Sequence, residues 1–187
     1  MKKEIKNQKM NKDAVRRYLL PDAHYGHKNM EQFCGRPSGF EYKINQAIKH
    51  IVRPQDEIIF LGDVIFGNQA FLKSMIEDLP GRKILTKGNH DKHSDTWFYN
   101  AGFDFVCDQI IIGKYVLSHF PVAIQDGQIN IHGHFHNVPA RRWEPYLVER
   151  LTDAHYLCSL EIADYKPILL ITALERKDIV KSIEYPL

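Results

Sequence analysis

The chain has 187 residues, 44% of them hydrophobic and 26% charged. That is enough for one domain with a real core and short of a comfortable second one. A formal net charge of only +2 with histidine neutral supplies no global field for a nucleic-acid backbone or an anionic membrane surface, and no apolar run approaches the roughly 20 residues of a membrane span. The 10 histidines are the compositional oddity, since histidine is both a metal ligand and an acid–base residue. Cys34, Cys107 and Cys158 are far apart and odd in number. They argue against a disulfide framework, fit a reducing cytoplasm and read as small buried hydrophobes.

Met1–Asp13 is rich in Lys and Asn and has no apolar stretch. It is not a signal peptide and is expected to be a solvated tail ahead of a single domain over 14–187. Arg16–Pro21 (RRYLLP) reads as a first strand ending at Asp22. Glu41–Val52 spaces Ile44, Ala47, Ile48 and Ile51 as a helix, and Pro54 follows it. Glu57–Leu61 is a buried strand. Gln69–Leu79 is a second amphipathic helix, carrying Phe71, Leu72, Met75, Ile76 and Leu79 and closed by Pro80-Gly81. Arg82–Thr86 is a strand, and Ser94–Ala101 a short helix with Ser94 as N-cap and Gly102 as its stop. Beyond it, Phe103–Ile112, Lys114–Leu117, Gln128–Ile131 and Tyr156–Ile162 read as strands. Leu169–Ile183 is ambiguous, with Pro167 placed to open a helix. The first half is therefore β-α-β-α-β with parallel strands, and the second half a mixed or antiparallel sheet.

Asp22-Ala-His24, Gly62-Asp63, Gly88-Asn89-His90-Asp91, Ser118-His119 and Gly133-His134-Phe135-His136 each sit just past an apolar run that reads as a strand. All can thus meet at one sheet edge. Their donors are oxygen and imidazole nitrogen, which suit divalent transition metals, with no thiolate among them. Strand residues two apart share a face, so Asp22 with His24, and His134 with His136, are each expected to reach a common ion. A glycine ahead of Asp63, Asn89 and His134 permits a tight turn or a close backbone approach. Loop punctuation explains any one of these fragments, but not ligand-type residues after all of them.

This ordered set, D-x-H, G-D, G-N-H-D, H, G-H-x-H, resembles the calcineurin-like metallophosphoesterases over roughly residues 18–136. The stretch Glu161-Ile-Ala-Asp-Tyr-Lys-Pro167 looks like the close of the small, single-domain bacterial and phage members. The resemblance implies an α/β fold: a four-layer α/β/β/α sandwich of two mixed sheets flanked by helices. It implies two divalent transition metals (Mn, Fe, Ni, Co or Zn) bridged by Asp63. Asp22, His24 and His136 would hold one, and Asn89, His119 and His134 the other. A carboxylate between cations allows a spacing of about 3.5–4 Å and an acidified bridging hydroxide that attacks phosphorus. His90 would contact the substrate phosphate as a catalytic residue, with Asp91 bonded to its ring to keep it protonated. Asn89 would touch substrate as well as metal.

Pro21 stands where relatives carry a small polar residue, which removes one donor beside the site. His27 is a second candidate for the phosphate, and Arg36 a candidate clamp through its planar fork. His50, His93, His132 and His155 read as structural or solvated. Trp143, Pro145 and Tyr146 read as core, with a substrate wall or an oligomer contact as alternatives. No long insertion separates the motifs, so no cap domain selects a large substrate. The expected activity is hydrolysis of a phosphomonoester or phosphodiester of a nucleotide or other small molecule, in the cytoplasm and without a membrane partner. A nuclease is disfavoured by the lack of a basic stripe. An idle metal-binding scaffold that docks partners, or a structural single-metal protein, are the other readings.

Overall fold

The computed structural model describes residues 14–137, 145–171 and 179–182. The expected tail at 1–13, and Trp143, lie outside them. Two five-stranded sheets face each other. In the first, β1 (Arg17–Pro21), β2 (Glu57–Leu61), β3 (Arg82–Thr86) and β4 (Phe105–Cys107) run parallel, and β9 (Ile168–Leu169) pairs antiparallel with β1. In the second, β6 (Tyr115–Ser118), β7 (Ile129–His132) and β8 (His155–Cys158) are parallel. Antiparallel β5 (Gln109–Ile112) and β10 (Ile179–Lys181) form its edges. The expected sandwich of two mixed sheets is the observed one.

Strand alternation builds the layers. Leu19, Ile59, Leu61 and Ile84 turn toward Leu117, Ile131 and Cys158 of the second sheet. Tyr18, Leu20, Ile58, Phe60 and Leu85 turn the other way, under the helices. These are α1 (Met30–Cys34), α2 (Phe40–Ile51), α3 (Gln69–Ile76) and α4 (Asp95–Ala101), and they contribute Phe40, Ile44, Ile48, Leu72, Ile76 and Phe98. The first sheet is buried on both faces, which is why its strands read as continuous apolar runs. On the outer face of the second sheet, Leu157 of β8 is covered by Phe135 and Leu147, with α5 (Pro145–Val148) part of that layer. Tyr146 is exposed, so its place in a core is not borne out.

Three expectations change. Phe103–Ile112 is not one strand: β4 ends at Cys107 in the first sheet and β5 starts at Gln109 in the second. Only Asp108 and Gln109 separate the two apolar runs, with no glycine or proline to mark the change of sheet. Tyr156–Ile162 ends as a strand at Cys158, because the chain turns through Ser159–Tyr165, where Ala163 N–H bonds Ser159 O and Tyr165 N–H bonds Leu160 O. Within Leu169–Ile183 the described residues include strand segments β9 and β10 and not the long helix considered; the intervening 172–178 lie outside the description.

Candidate metal centre

Asp22, Asp63 and Asn89 follow β1, β2 and β3, while His119 and His134 follow β6 and β7. The C-terminal ends of the parallel strands of both sheets therefore open on one place. Asp22, His24, Asp63, His134 and His136 all have left-handed backbones, with φ of 47°, 50°, 48°, 72° and 51°. The other described non-glycine residues with positive φ are Asp164 and Tyr165. Such strain in β-carbon residues persists only where surrounding contacts over-determine it, and it gathers at functional sites. Those contacts are visible. His24 N–H bonds Asp63 O and Tyr25 N–H bonds Val64 O, both at 2.9 Å, so the first two loops continue the β1–β2 pairing.

The expected convergence occurs, but by a different route. Asp22 and His24 lie past the end of β1, and His134 and His136 past the end of β7. The left-handed turns aim them, not strand alternation, and the pair His134/His136 is divided between two groups. Asp22, His24 and His136 present ligand atoms within 4.8 Å of one another, and so do Asp63, His119 and His134. Asp63 Oδ2 lies 3.7 Å from His24 Nε2 and 3.5 Å from His119 Nε2, so this oxygen stands between the groups. Asn89 Oδ1 is 2.9 Å from His119 Nε2. The glycines act by close approach. A β-carbon on Gly88 would lie 2.2 Å from Asp63 Oδ1, and one on Gly133 2.5 Å from Asp22 Oδ2.

Several features fit cations. His24 Nε2 is buried with no hydrogen-bond partner among the described residues. His119 Nδ1 donates to Leu61 O at 2.9 Å, which leaves a neutral ring's bare Nε2 toward Asn89 Oδ1 and toward His134 Nδ1 at 3.0 Å. That Nε2 and Asn89 Oδ1 are both acceptors, and two acceptors this close are reconciled by a positive ion. Burial foremost, then neighbouring imidazoles, holds His24 and His119 well below the ordinary imidazole value, so both are in the neutral form that ligates. Burial also pushes the Asp22 carboxyl up to about 6.

Other candidates fall differently. His90 is half-exposed, with Nε2 3.9 Å from Asp63 Oδ2. Asp91 does not hold its ring: Oδ2 accepts from Asp63 N (2.7 Å) and Gly88 N (2.9 Å), and Oδ1 from Val64 N (3.0 Å). The carboxylate fixes two loops instead. Burial outweighs the Asp91 charge and sets His90 below the usual imidazole value. Arg36 is no exposed clamp. Its side chain is fully buried and donates to Glu161 Oε1 (2.7 Å), Ala23 O (3.1 Å) and Asp22 O (2.8 Å). His27 is in the cleft, stacked on Phe66 at 3.8 Å. His132 and His155 are buried and bonded to Gly133 O and Ser182 Oγ, and to Val122 O and Thr152; His93 stacks on Trp97 and His50 is exposed.

The cleft has a volume of about 450 Å³. His24, His27, Asp63, Asn89, His90, His134 and His136 line one part of it, and Met30, Phe33, Cys34, Phe66 and Phe135 an apolar part. Met30, Phe33 and Cys34 escaped the motif reading because α1 is too short to show a period. Glu161, seen in the sequence only as part of a closing stretch, reaches His136 Nδ1 at 3.4 Å. Cys34 also gathers with His136 and Glu161, but burial pushes its thiol up to about 12, so it offers no thiolate.

No family model matches the chain. It is 29% identical over 178 residues to the uncharacterized protein MJ1445 of Methanocaldococcus jannaschii, covering 89% of this chain and 95% of that one. It is 28% identical over 159 residues to the Gene 66 protein of Mycobacterium phage L5, covering 64% and 77%. The crystal structure of AQ665 from Aquifex aeolicus, a protein of unknown function, superposes with a TM-score of 0.63 at 28% identity over 87% of this chain and 99% of that one. The nuclease MPE of Pseudomonas putida matches with a TM-score of 0.48 at 16% identity, over 64% and 61%. Among the described residues no helix is long and apolar enough to cross a membrane.

Proposed function

We propose that the chain is a two-metal phosphoesterase of the calcineurin-like type, acting on a small organic phosphate ester such as a nucleotide. One observation carries this reading: Asp63 Oδ2 stands 3.7 and 3.5 Å from imidazoles of two separate ligand groups, with Asp63 and His24 both held in left-handed backbones. Asp22, His24 and His136 would hold one divalent cation, Asn89, His119 and His134 the other, with Asp63 between. Bound there, the two cations would supply Lewis acidity and a nucleophile available near neutral pH.

The chain's own residues do the rest. Asp22 and Asp63 fix the spacing and offset the cations' charge. His90, at the cleft surface 3.9 Å from Asp63 Oδ2, is placed to donate an N–H to a phosphate oxygen or a proton to the departing one. His27 lines the same cleft and is a second contact for phosphate. The apolar part formed by Met30, Phe33 and Phe66 suits the organic group of the ester. A net charge of +2 favours a small substrate over a long nucleic acid, whose backbone requires several cations in line.

The test is hydrolysis of p-nitrophenyl phosphate and bis-p-nitrophenyl phosphate by chelator-stripped protein refilled with manganese. The wild type turns over at least one of them, and Asp63→Asn neither. Turnover unaffected by Asp63→Asn contradicts the reading. Turnover of long DNA well above that of mononucleotides replaces the small substrate with a nucleic acid.

A further inference from the structure

The two ligand groups are supported by different devices: the Asp91 carboxylate fixes the loops of Asp63 and Gly88, whereas the first group is backed by an ion pair. Behind Asp22, His24 and His136 lies a buried ion pair contributed by distant parts of the chain. Arg36 and Glu161 are 125 positions apart, bonded at 2.7 Å, with side chains 0% and 5% exposed. The Arg36 fork donates to the carbonyls of Asp22 and Ala23, the peptides that leave Asp22 at φ 47° and lead to His24 at φ 50°. The guanidinium lies 4.8 Å over the Phe40 ring at the start of α2, which fixes its plane. Glu161 Oε1 faces His136 Nδ1 at 3.4 Å, and Ser159 Oγ donates to Glu161 Oε2 at 2.6 Å. A carboxylate at Nδ1 fixes the tautomer and leaves Nε2 free to ligate; His136 Nε2 points at Asp22 Oδ1, 3.9 Å away. In the other group, His119 Nδ1 donates to a neutral carbonyl, Leu61 O, at 2.9 Å, with Asp22 Oδ1 3.6 Å away.

We propose that the Arg36–Glu161 pair is a positioning device that makes the Asp22–His24–His136 group the tighter of the two cation sites. The inference rests on the two-cation reading above. A buried ion pair is weak evidence of stabilisation by itself, since apolar replacements of similar volume are often neutral or better. Its contacts give it a different use: they orient His136 and hold the left-handed turn that carries Asp22 and His24. The second site then fills at higher cation concentration and exchanges more readily.

The experiment is a manganese titration of the chelator-stripped full chain, read as free Mn(II) by electron paramagnetic resonance, on wild type, Glu161→Gln and the paired variant Arg36→Met/Glu161→Met. Wild type is expected to show a tight and a weaker site. Glu161→Gln loses about 10–100-fold at the tight site and leaves the other unchanged. The paired variant leaves no charge unpaired, so it carries the test if Glu161→Gln does not fold. It is expected to fold, with a melting temperature lowered by loss of the bonds to the Asp22 and Ala23 carbonyls, and with its tight site weakened. A paired variant that folds and binds both ions as wild type does, or a Glu161→Gln that weakens both sites equally, overturns the proposal. A wild type that binds fewer than two ions overturns the two-cation reading instead.

Discussion

His90 stands at the cleft surface with its ring 4.6 Å from Phe66 and 5.9 Å from His24, and it belongs to neither ligand group. His90→Ala is therefore expected to keep both cations and lose about 10²–10⁴-fold in kcat, the usual worth of a positioned proton donor; kinetics with parallel metal analysis checks this, and loss of metal would place His90 among the ligands. Gly88→Ala is expected to act the opposite way. Its β-carbon would fall 2.2 Å from Asp63 Oδ1 and 2.6 Å from Asp63 N, so the shared carboxylate must move and bound manganese should drop below two per chain. The ligand-type residues were legible in the sequence because each follows an apolar run. Two side-chain destinations were not. Asp91 sits beside His90 in sequence yet bonds the amides of Asp63, Val64 and Gly88. Arg36 meets Glu161 across 125 positions, a separation at which no local period carries information.

Asp56 anchors the end of the first sheet opposite the candidate metal centre. It accepts from Arg16 N at 3.0 Å, from Arg53 N at 2.9 Å and from the Arg53 guanidinium at 2.7 and 3.0 Å, and its own carbonyl accepts from Arg82 N. These join the starts of β1, β2 and β3 to the end of α2. Burial raises its pKa, but the hydrogen bonds outweigh it and hold the carboxyl down at about 2. A pKa below the unfolded value stabilises above the unfolded pKa and is lost as pH falls toward the folded one. Asp56→Asn should thus cost about 2 kcal/mol at neutral pH, with the difference from wild type shrinking between about pH 4 and pH 2, as denaturant titrations at several pH values would show. A constant difference over that range would mean that the charge is not what matters. β2 and β3 were read to the residue, since five apolar or framed positions between turn signals leave one solution. Ser94 and Gly102 cap α4 as their types predict, Ser94 Oγ accepting from Trp97 N and Gly102 adopting φ 114°. The β4–β5 break at Asp108 was illegible, because no turn residue marks it and β5 carries isoleucine on its exposed face (Ile111) as well as on the face packed on the core (Ile110 and Ile112).

At the scale of the whole molecule, the two sheets are joined by an apolar layer around Leu19, Ile59, Leu61, Leu117 and Ile131, and their strand ends meet at the candidate metal centre. Asp22 accepts from His134 N at 3.0 Å, and His119 donates to Leu61 O at 2.9 Å, so the centre itself ties one sheet to the other. Cations held there bind only the folded chain and must stabilise it. Manganese at about 100 times its dissociation constant adds about 2.7 kcal/mol per site. For a domain of this size that is a rise of roughly 5–10 °C in Tm per site, reversed by chelator and visible in a thermal melt. Asp63→Asn should show a much smaller rise. The central claim is that one carboxylate joins two cations, and the most direct measurement is electron paramagnetic resonance of the chain loaded with Mn(II). A shared Asp63 places the ions about 3.5–4 Å apart, which predicts an exchange-coupled spectrum that Asp63→Ala converts to isolated Mn(II) signals or abolishes. Isolated Mn(II) signals from the fully loaded wild type would contradict the account.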